Sequence, residues 1–251
     1  MASEAAISCI VPVYNGTAYI EAAIESLVRQ SLPPAQIIVI DDGSTDDSAE
    51  RSVAAGKGLV QIVAQANRGP NAAREAALPL ATGDYVHFFD ADDVCPAGAL
   101  RALHEALHSH ADWQAVFGTW RNFWIDELKA EQVALHSSHH EGEQHGLSLA
   151  AGLFRNAWLQ DVERMASYHF WHAPILWLDN LQRSGAALGR IDVLTLERRI
   201  HHHNISRQKS QDDLVDLVLN LHRSKVILHQ TALRDFTSYA IEHAYGLGRR
   251  T

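Results

Sequence analysis

The chain has 251 residues, 47% hydrophobic and 20% charged, enough to bury the core of one large α/β domain, alone or with a helical tail. Its 21 basic residues against 30 acidic ones leave a net charge of −9, which argues against a nucleic-acid-binding surface. Met1-Ala2-Ser3-Glu4-Ala5 has neither a basic stretch nor a long apolar run, so no signal peptide is expected, and no apolar segment is long enough to span a bilayer.

Residues 7–13 are a short apolar run and predict the first strand. Over 19–30, Ile20, Ala23, Ile24, Leu27 and Val28 recur on one helical face. Residues 36–40 predict a second strand, β-branched at its centre. Asp42-Gly43-Ser44 reads as a turn, with Thr45 or Asp46 able to cap the helix that follows. A third strand is expected over 59–64, a small-residue helix over 70–80, a fourth strand over 85–89 and a helix over 96–109. Strands alternating with helices predict a mostly parallel sheet with right-handed crossovers. No G-x-G-x-x-G follows the first strand and no G-x-x-x-x-G-K-[ST] occurs, so neither a dinucleotide fingerprint nor a P-loop is present. Cys9 in a strand and Cys95 in a turn are expected to be reduced thiols of a cytoplasmic protein.

Three of these strands end in polar loops: Pro12-Val13-Tyr14-Asn15-Gly16, Asp41-Asp42-Gly43-Ser44 and Asp90-Ala91-Asp92-Asp93. In a parallel sheet such loops fall on one edge, where ligands bind. Asn15 and Asp42 can read a base edge by hydrogen bonds. Clustered carboxylates repel unless a cation sits among them, and hard oxygen ligands suit Mg²⁺ or Mn²⁺ on a diphosphate. Taken singly, each loop has a plainer reading: Asn15-Gly16 as a turn, Asp41-Asp42-Gly43 as a helix start, and Asp92 or Asp93 as the cap of the helix near Pro96. Arg74 is either a fixed positive fork for the diphosphate or a surface residue pairing with Glu75 or Asp84.

Ile10-Val11-Pro12-Val13-Tyr14-Asn15, Val39-Ile40-Asp41-Asp42-Gly43-Ser44-Thr45-Asp46, Asn67-x-Gly69-x-x-x-Ala73-Arg74, Thr82-Gly83-Asp84-Tyr85 and Asp90-Ala91-Asp92-Asp93 occur in order over residues 7–110. This pattern resembles family-two glycosyltransferases of GT-A fold. The resemblance implies a Rossmann-like α/β domain, a mostly parallel sheet flanked by helices. It also implies inverting transfer of a sugar from a nucleotide-sugar, with Mn²⁺ or Mg²⁺ as cofactor. A UDP-sugar is the favoured donor, because Asp42 suits a uracil edge. By the same resemblance, Pro12, Val13, Tyr14, Asn15, Asp41, Asp42 and Arg74 surround the nucleotide. Asp90, Ala91 and Asp92 line the sugar-diphosphate, and Asp92 with Asp93 holds the metal. The acceptor is left unspecified.

Trp177-Leu178 through Gly185, then Arg199-x-His201-x-x-Asn204-x-Ser206, resembles the family's later block, which implies Arg199 and His201 beside the diphosphate and His201 at the metal. The triplet His201-His202-His203 cannot converge on one ion from a strand, where neighbours point to opposite faces; only His201 and His203 share one. Inversion requires a base to take the acceptor's proton. The family carries a Glu-Asp pair just before the Trp-Leu helix, whereas Ala173-Pro174 stands there in this chain. Three explanations stay open. His172 substitutes as base, or Asp161 or Glu163 arrives from a shifted loop, or the base is missing and the chain binds a nucleotide-sugar without efficient transfer.

The expected organisation is a GT-A domain over 1–206, with a nucleotide-sugar half at 1–110 and an acceptor half at 111–206. A C-terminal helical extension over 207–251 completes it, packed on the sheet domain or forming a homodimer contact. Segment 137–146, with His139, His140 and His145, reads as a flexible loop. One or two of Trp120, Trp124 and Trp171 are expected to line the acceptor cleft, the other aromatics packing in the core.

Overall fold

The computed structural model describes residues 6–135, 142–165 and 173–204. They belong to two compact units, Met1–Ile200 and His201–Thr251.

The first unit is organised around β1 (Ile7–Val13), whose every residue is buried. It is paired on both edges, and its side chains are covered by a core on each face. Strands β2 (Gln36–Asp41) and β4 (Tyr85–Phe88) run parallel to it, with Val13 opposite Asp41 and Ile10 opposite Phe88. β3 (Val60–Ala64) extends the parallel sheet beyond β2. Helices α1 (Ile20–Val28), α2 (Ser48–Ala55) and α3 (Pro70–Ala77) supply the crossovers, and α4 (Ala99–Ser109) follows β4. The remainder is β5 (Ala115–Trp124), α5 (Lys129–Leu135), β6 (Glu143–Gln144), β7 (Gly152–Arg155), α6 (Asn156–Asp161), α7 (Ala173–Arg183) and β8 (Leu188–Ile200). Among the described residues the sheet has eight strands in the order β3-β2-β1-β4-β7-β5-β6, with β8 also paired to β5. Only β6 and β7 run against the others.

Strand alternation divides the core in two. Ile7, Cys9, Val11 and Val13 pack with α1 and α4 on one face, in a cluster with Ile24, Leu27, Leu100 and Leu103. Ile10 and Phe88 pack on the other with Ala73 of α3, Leu159 of α6 and Trp177 of α7. Gly83, just before β4, lies where a Cβ would meet Ala6 O at 2.6 Å and Ser8 N at 2.8 Å, so glycine there permits close backbone approach to the central strand.

The expected elements are present with shifted ends. The helix read over 70–80 is α3 followed by a 3₁₀ turn, Leu78–Leu80. The helix read from 96 starts at Ala99, because Pro96 to Ala99 close a turn (Ala99 N–H to Pro96 O, 3.1 Å) and Gly98 stands at the cap with φ 82°. Asp92 and Asp93 are therefore not its caps. Glu143–Gln144 pair with Trp120 and Arg121, so part of the segment read as a flexible loop is sheet. Residues 136–141, with His139 and His140, lie outside the described residues. So do His172, Trp171 and the expected helices of 207–251. Trp124 is buried with Leu128 and Ile200, and Trp120 is half-buried against the core.

Gln30 straps α1 to the segment after β4. Its side-chain amide donates to Ser26 O (3.0 Å), Cys95 O (3.1 Å) and Pro96 O (2.9 Å), while its carbonyl accepts from Leu100 N–H (3.3 Å).

In the second unit, residues 201–204 form a turn. His201 N–H donates to Asn204 Oδ1 (2.6 Å) and His203 N–H to His201 Nδ1 (3.3 Å). The His triplet is thus in a turn rather than on a strand, and the face-sharing expected of His201 and His203 does not apply.

Candidate active site

The C-terminal tips of β1, β2 and β4 lie side by side by virtue of their parallel pairing. Val13 O accepts from Asp42 N–H (2.8 Å) and Ile10 O from Phe89 N–H (2.9 Å), which carries the register into both loops. The loops after β1 and β2 are then stitched together. Asn15 N–H donates to Ser44 Oγ (3.0 Å), Asn15 Oδ1 accepts from Thr45 N–H (2.8 Å), and Gly16 N–H donates to Ser48 Oγ (2.8 Å). Asn15 takes a left-handed conformation, φ 50°, which a short polar side chain tolerates. Its carbonyl oxygen is committed to this turn. Tyr14 beside it is 54% exposed, a large aromatic face left at the strand tip.

Asp41 accepts from Ser44 N–H (2.8 Å) and so shapes the turn at Gly43, whose φ of 81° favours glycine. Asp42 points the other way and is 3% exposed. Its Oδ1 accepts from Gln65 Nε2 (2.7 Å) and Arg68 N–H (2.8 Å), its Oδ2 from Gly69 N–H (2.8 Å). A carboxylate offers about four acceptor positions. Three are used to hold the loop between β3 and α3, which leaves one on Oδ2 for a single further donor.

Arg74 is 7% exposed, not a surface residue. It pairs with Asp90 and donates to Asn71 Oδ1 (3.0 Å), one helical turn earlier. Neither Glu75 nor Asp84 provides that ion pair, and Asp84 instead accepts from Ala6 N–H (3.0 Å). Arg74 Nε is buried without a hydrogen-bond partner among the described residues.

The acidic run 90–93 is sorted by burial. Asp90 has a side chain 40% exposed and Asp92 is half-buried, whereas Asp93 is 3% exposed. Burial, reinforced by Asp92 and Asp90, pushes the Asp93 carboxyl well above the usual carboxylate range, against the opposing pull of Arg198 and the Arg199 N–H. β8 grips this run from the side. Val94 and Glu197 exchange two backbone hydrogen bonds of 2.9 Å, Arg199 N–H donates to Asp93 Oδ1 (2.9 Å), and Arg199 Nε–H donates to Asp92 O (2.9 Å). The Arg199 guanidinium lies over the rings of Tyr19 (4.8 Å) and Phe123 (4.6 Å). Among the described residues no three His, Cys, Asp or Glu side chains form a ready-made metal cage. His201 belongs to the second unit.

Of the carboxylates considered as base, Asp161 ends α6 and is exposed. Glu163 lines a cavity together with Arg74, Phe88, Leu159, Met165 and Trp177. Its backbone carbonyl accepts from Trp177 Nε1 (2.7 Å) and its carboxylate from Asn180 Nδ2 (2.9 Å), tying the segment after α6 to α7. Gln65 and Asn71, which hold Asp42 and Arg74, are missed by sequence reasoning. Only the three-residue helical spacing of Asn71 and Arg74 is a local signal.

Residues 8–147 match the family model for glycosyl transferase family 2. The uncharacterized glycosyltransferase YibD of Escherichia coli is 35% identical over 145 residues, covering 53% of this chain and 42% of that protein. The chain spans about half or less of the length of the curated relatives it matches. Among solved structures, S. aureus TarS 1–349 in complex with UDP-GlcNAc superposes with a TM-score of 0.66 at 17% identity, covering 98% of this chain and 76% of that one. The M. tuberculosis glucosyl-3-phosphoglycerate synthase with Mn²⁺, UDP and phosphoglyceric acid gives 0.54 at 22% identity, covering 79% and 72%. No helix among the described residues is long and apolar enough to cross a membrane. The stitched tips of β1 and β2 and the acidic run after β4 all fall within the matched stretch, and the chain belongs to glycosyl transferase family 2, on a GT-A fold.

Proposed function

We propose that the protein transfers a sugar from a UDP-sugar, with inversion and with help from a divalent cation. The observation that carries this reading is the convergence of Asn15, Asp42, Arg74, Asp90 and Asp92 around three adjoining strand tips. The remaining acceptor position on Asp42 matches the single N–H on the uracil edge, and exposed Tyr14 offers a stacking face beside it. The names of solved neighbours, TarS with UDP-GlcNAc and the mycobacterial synthase with UDP and Mn²⁺, support the same donor class.

The donor set suits Mg²⁺ or Mn²⁺, since such an ion takes one or two carboxylates and completes its shell with water and phosphate oxygens. Asp92, with Asp90 beside it, would hold it, while Asp93 faces β8. When bound, the cation offsets negative charge growing on the departing diphosphate. Arg74 adds a second positive group, pre-oriented by Asp90 and Asn71.

Glu163 is the carboxylate we favour for accepting the acceptor's proton over Asp161, because it lines a small cavity beside Arg74 and Trp177. His172, outside the described residues, is the competing base. One observation favours a second reading, a nucleotide-sugar-binding protein without efficient transfer: α7 begins Ala173-Pro174, where the family resemblance calls for a carboxylate. The two free cysteines fit a reducing, cytoplasmic setting.

The deciding experiment measures UDP release from a panel of UDP-sugars with Mn²⁺, for the protein and for Glu163→Gln and His172→Ala. Turnover reduced by a factor of about 10²–10⁴ in one variant, with UDP affinity kept, identifies the base. Metal-dependent UDP binding with no turnover across acceptor pools selects the binding-protein reading. No UDP binding at all overturns both.

A further inference from the structure

Resting on the proposal that Asp92 holds the cation, we infer that Arg199 is a positioning residue for that carboxylate and not a ligand of the diphosphate. Two donors of Arg199 straddle one peptide bond. Its Nε–H holds the carbonyl of Asp92 and its backbone N–H holds the carboxylate of Asp93, each at 2.9 Å. Holding the Asp92 carbonyl directly, and the Asp93 side chain next to it, restrains the plane of the 92–93 peptide. The direction in which the Asp92 side chain leaves the loop follows from it. The paired bonds between Val94 and Glu197 extend the clamp by one residue.

The guanidinium is itself held. Its carbon lies 4.8 Å from the Tyr19 ring centre and 4.6 Å from that of Phe123, two cation–π contacts. Tyr19 stands just before α1, in the segment that follows the β1 tip, and Phe123 lies on β5 in the acceptor half. One side chain thus joins the β1 loop, the acidic loop and the acceptor half. Substitution of groups that orient a metal ligand weakens metal affinity without removing a donor atom. Lysine cannot replace this arginine, because it lacks both the planar stacking surface and the Nε–H in the middle of a fork.

The test compares wild type, Arg199→Lys, Arg199→Gln and Phe123→Leu. Mn²⁺ is titrated at fixed UDP, and UDP is titrated both with and without Mn²⁺, by calorimetry. Both Arg199 variants are expected to need about tenfold more Mn²⁺ or beyond, with metal-free UDP affinity unchanged. Phe123→Leu is expected to shift Mn²⁺ dependence in the same direction by less, and it carries the test should the Arg199 variants not fold. Weakened metal-free UDP binding that Lys restores would overturn the inference, since a charge on the diphosphate behaves that way. An unchanged Mn²⁺ requirement in all variants would also overturn it. If wild type binds UDP with no dependence on metal, the metal assignment itself fails, an outcome separate from either.

Discussion

At the residue scale, burial sorts the ionisable groups into those that serve the site and those that serve the fold. His87 is fully buried on β4. Its Nδ1–H donates to Gly152 O (2.8 Å), which leaves Nε2 in the core without a partner among the described residues. Burial pulls its pKa down to about 4, against smaller upward contributions from the Gly152 hydrogen bond and Asp90. The unfolded chain therefore binds more protons at this position than the folded one. Stability from neutral His87 is complete above about pH 6.5 and is lost as pH falls toward 4. Between pH 7 and 5 the loss is roughly 2 kcal/mol. Asp93 acts with the opposite sign, since its raised carboxyl pKa adds stability as pH falls. Urea unfolding at pH 7 and pH 5, compared between wild type and His87→Leu, isolates the histidine. The variant should be less stable at pH 7 but lose about 2 kcal/mol less on acidification. Equal pH slopes would refute the burial argument.

At the element scale, the acidic loop depends on its neighbours more than on itself. After β4 the chain has no regular structure until α4, and its backbone groups are met from two directions. Arg199 and Glu197 of β8 take residues 92–94, while Ser26 of α1 and Gln30 just after it take Cys95, Pro96 and Leu100. Gln30→Leu keeps the size of the side chain but strips partners from Cys95 O, Pro96 O and Leu100 N. Leaving buried backbone groups unsatisfied costs about 1–3 kcal/mol, and guanidinium unfolding should report a loss in that range. The same variant should bind UDP with Mn²⁺ more weakly than its lost global stability explains. A variant as stable as wild type would show that water takes over these contacts.

At the scale of the whole molecule, ligand and fold are linked by mass action. UDP with Mn²⁺ at a hundred times the dissociation constant adds about 2.7 kcal/mol. For a domain of this size that raises the melting temperature by roughly 5–10 °C. ADP, GDP and CDP with Mn²⁺ should produce smaller shifts if, as proposed, the acceptor position left on Asp42 takes the single N–H of the uracil edge. Equal shifts for all four nucleotides would remove Asp42 from base selection.

The strand–helix alternation from β1 to α4, the polar tips of β1, β2 and β4, and the family are all legible along the chain. These are local properties. Periodicities of two and 3.6 residues and short motifs are written in neighbouring positions, and parallel pairing then brings the tips together whatever lies farther along. Which acids remain accessible is settled by packing between distant segments. Asp90, Asp92 and Asp93 look alike in the chain, yet only Asp93 is buried, because β8 places the Arg199 N–H against it across 106 residues. That placement depends on an irregular register between β5 and β8, where residues 191–193 are accommodated opposite Gly118 and Thr195 packs onto it. The pairing of Arg74 with Asp90 and the small cavity lined by Glu163 were decided in the same way, by how α3, α6 and α7 pack against the sheet and the loop after β4. Such contacts arise from how distant segments fit together, and no periodicity encodes them.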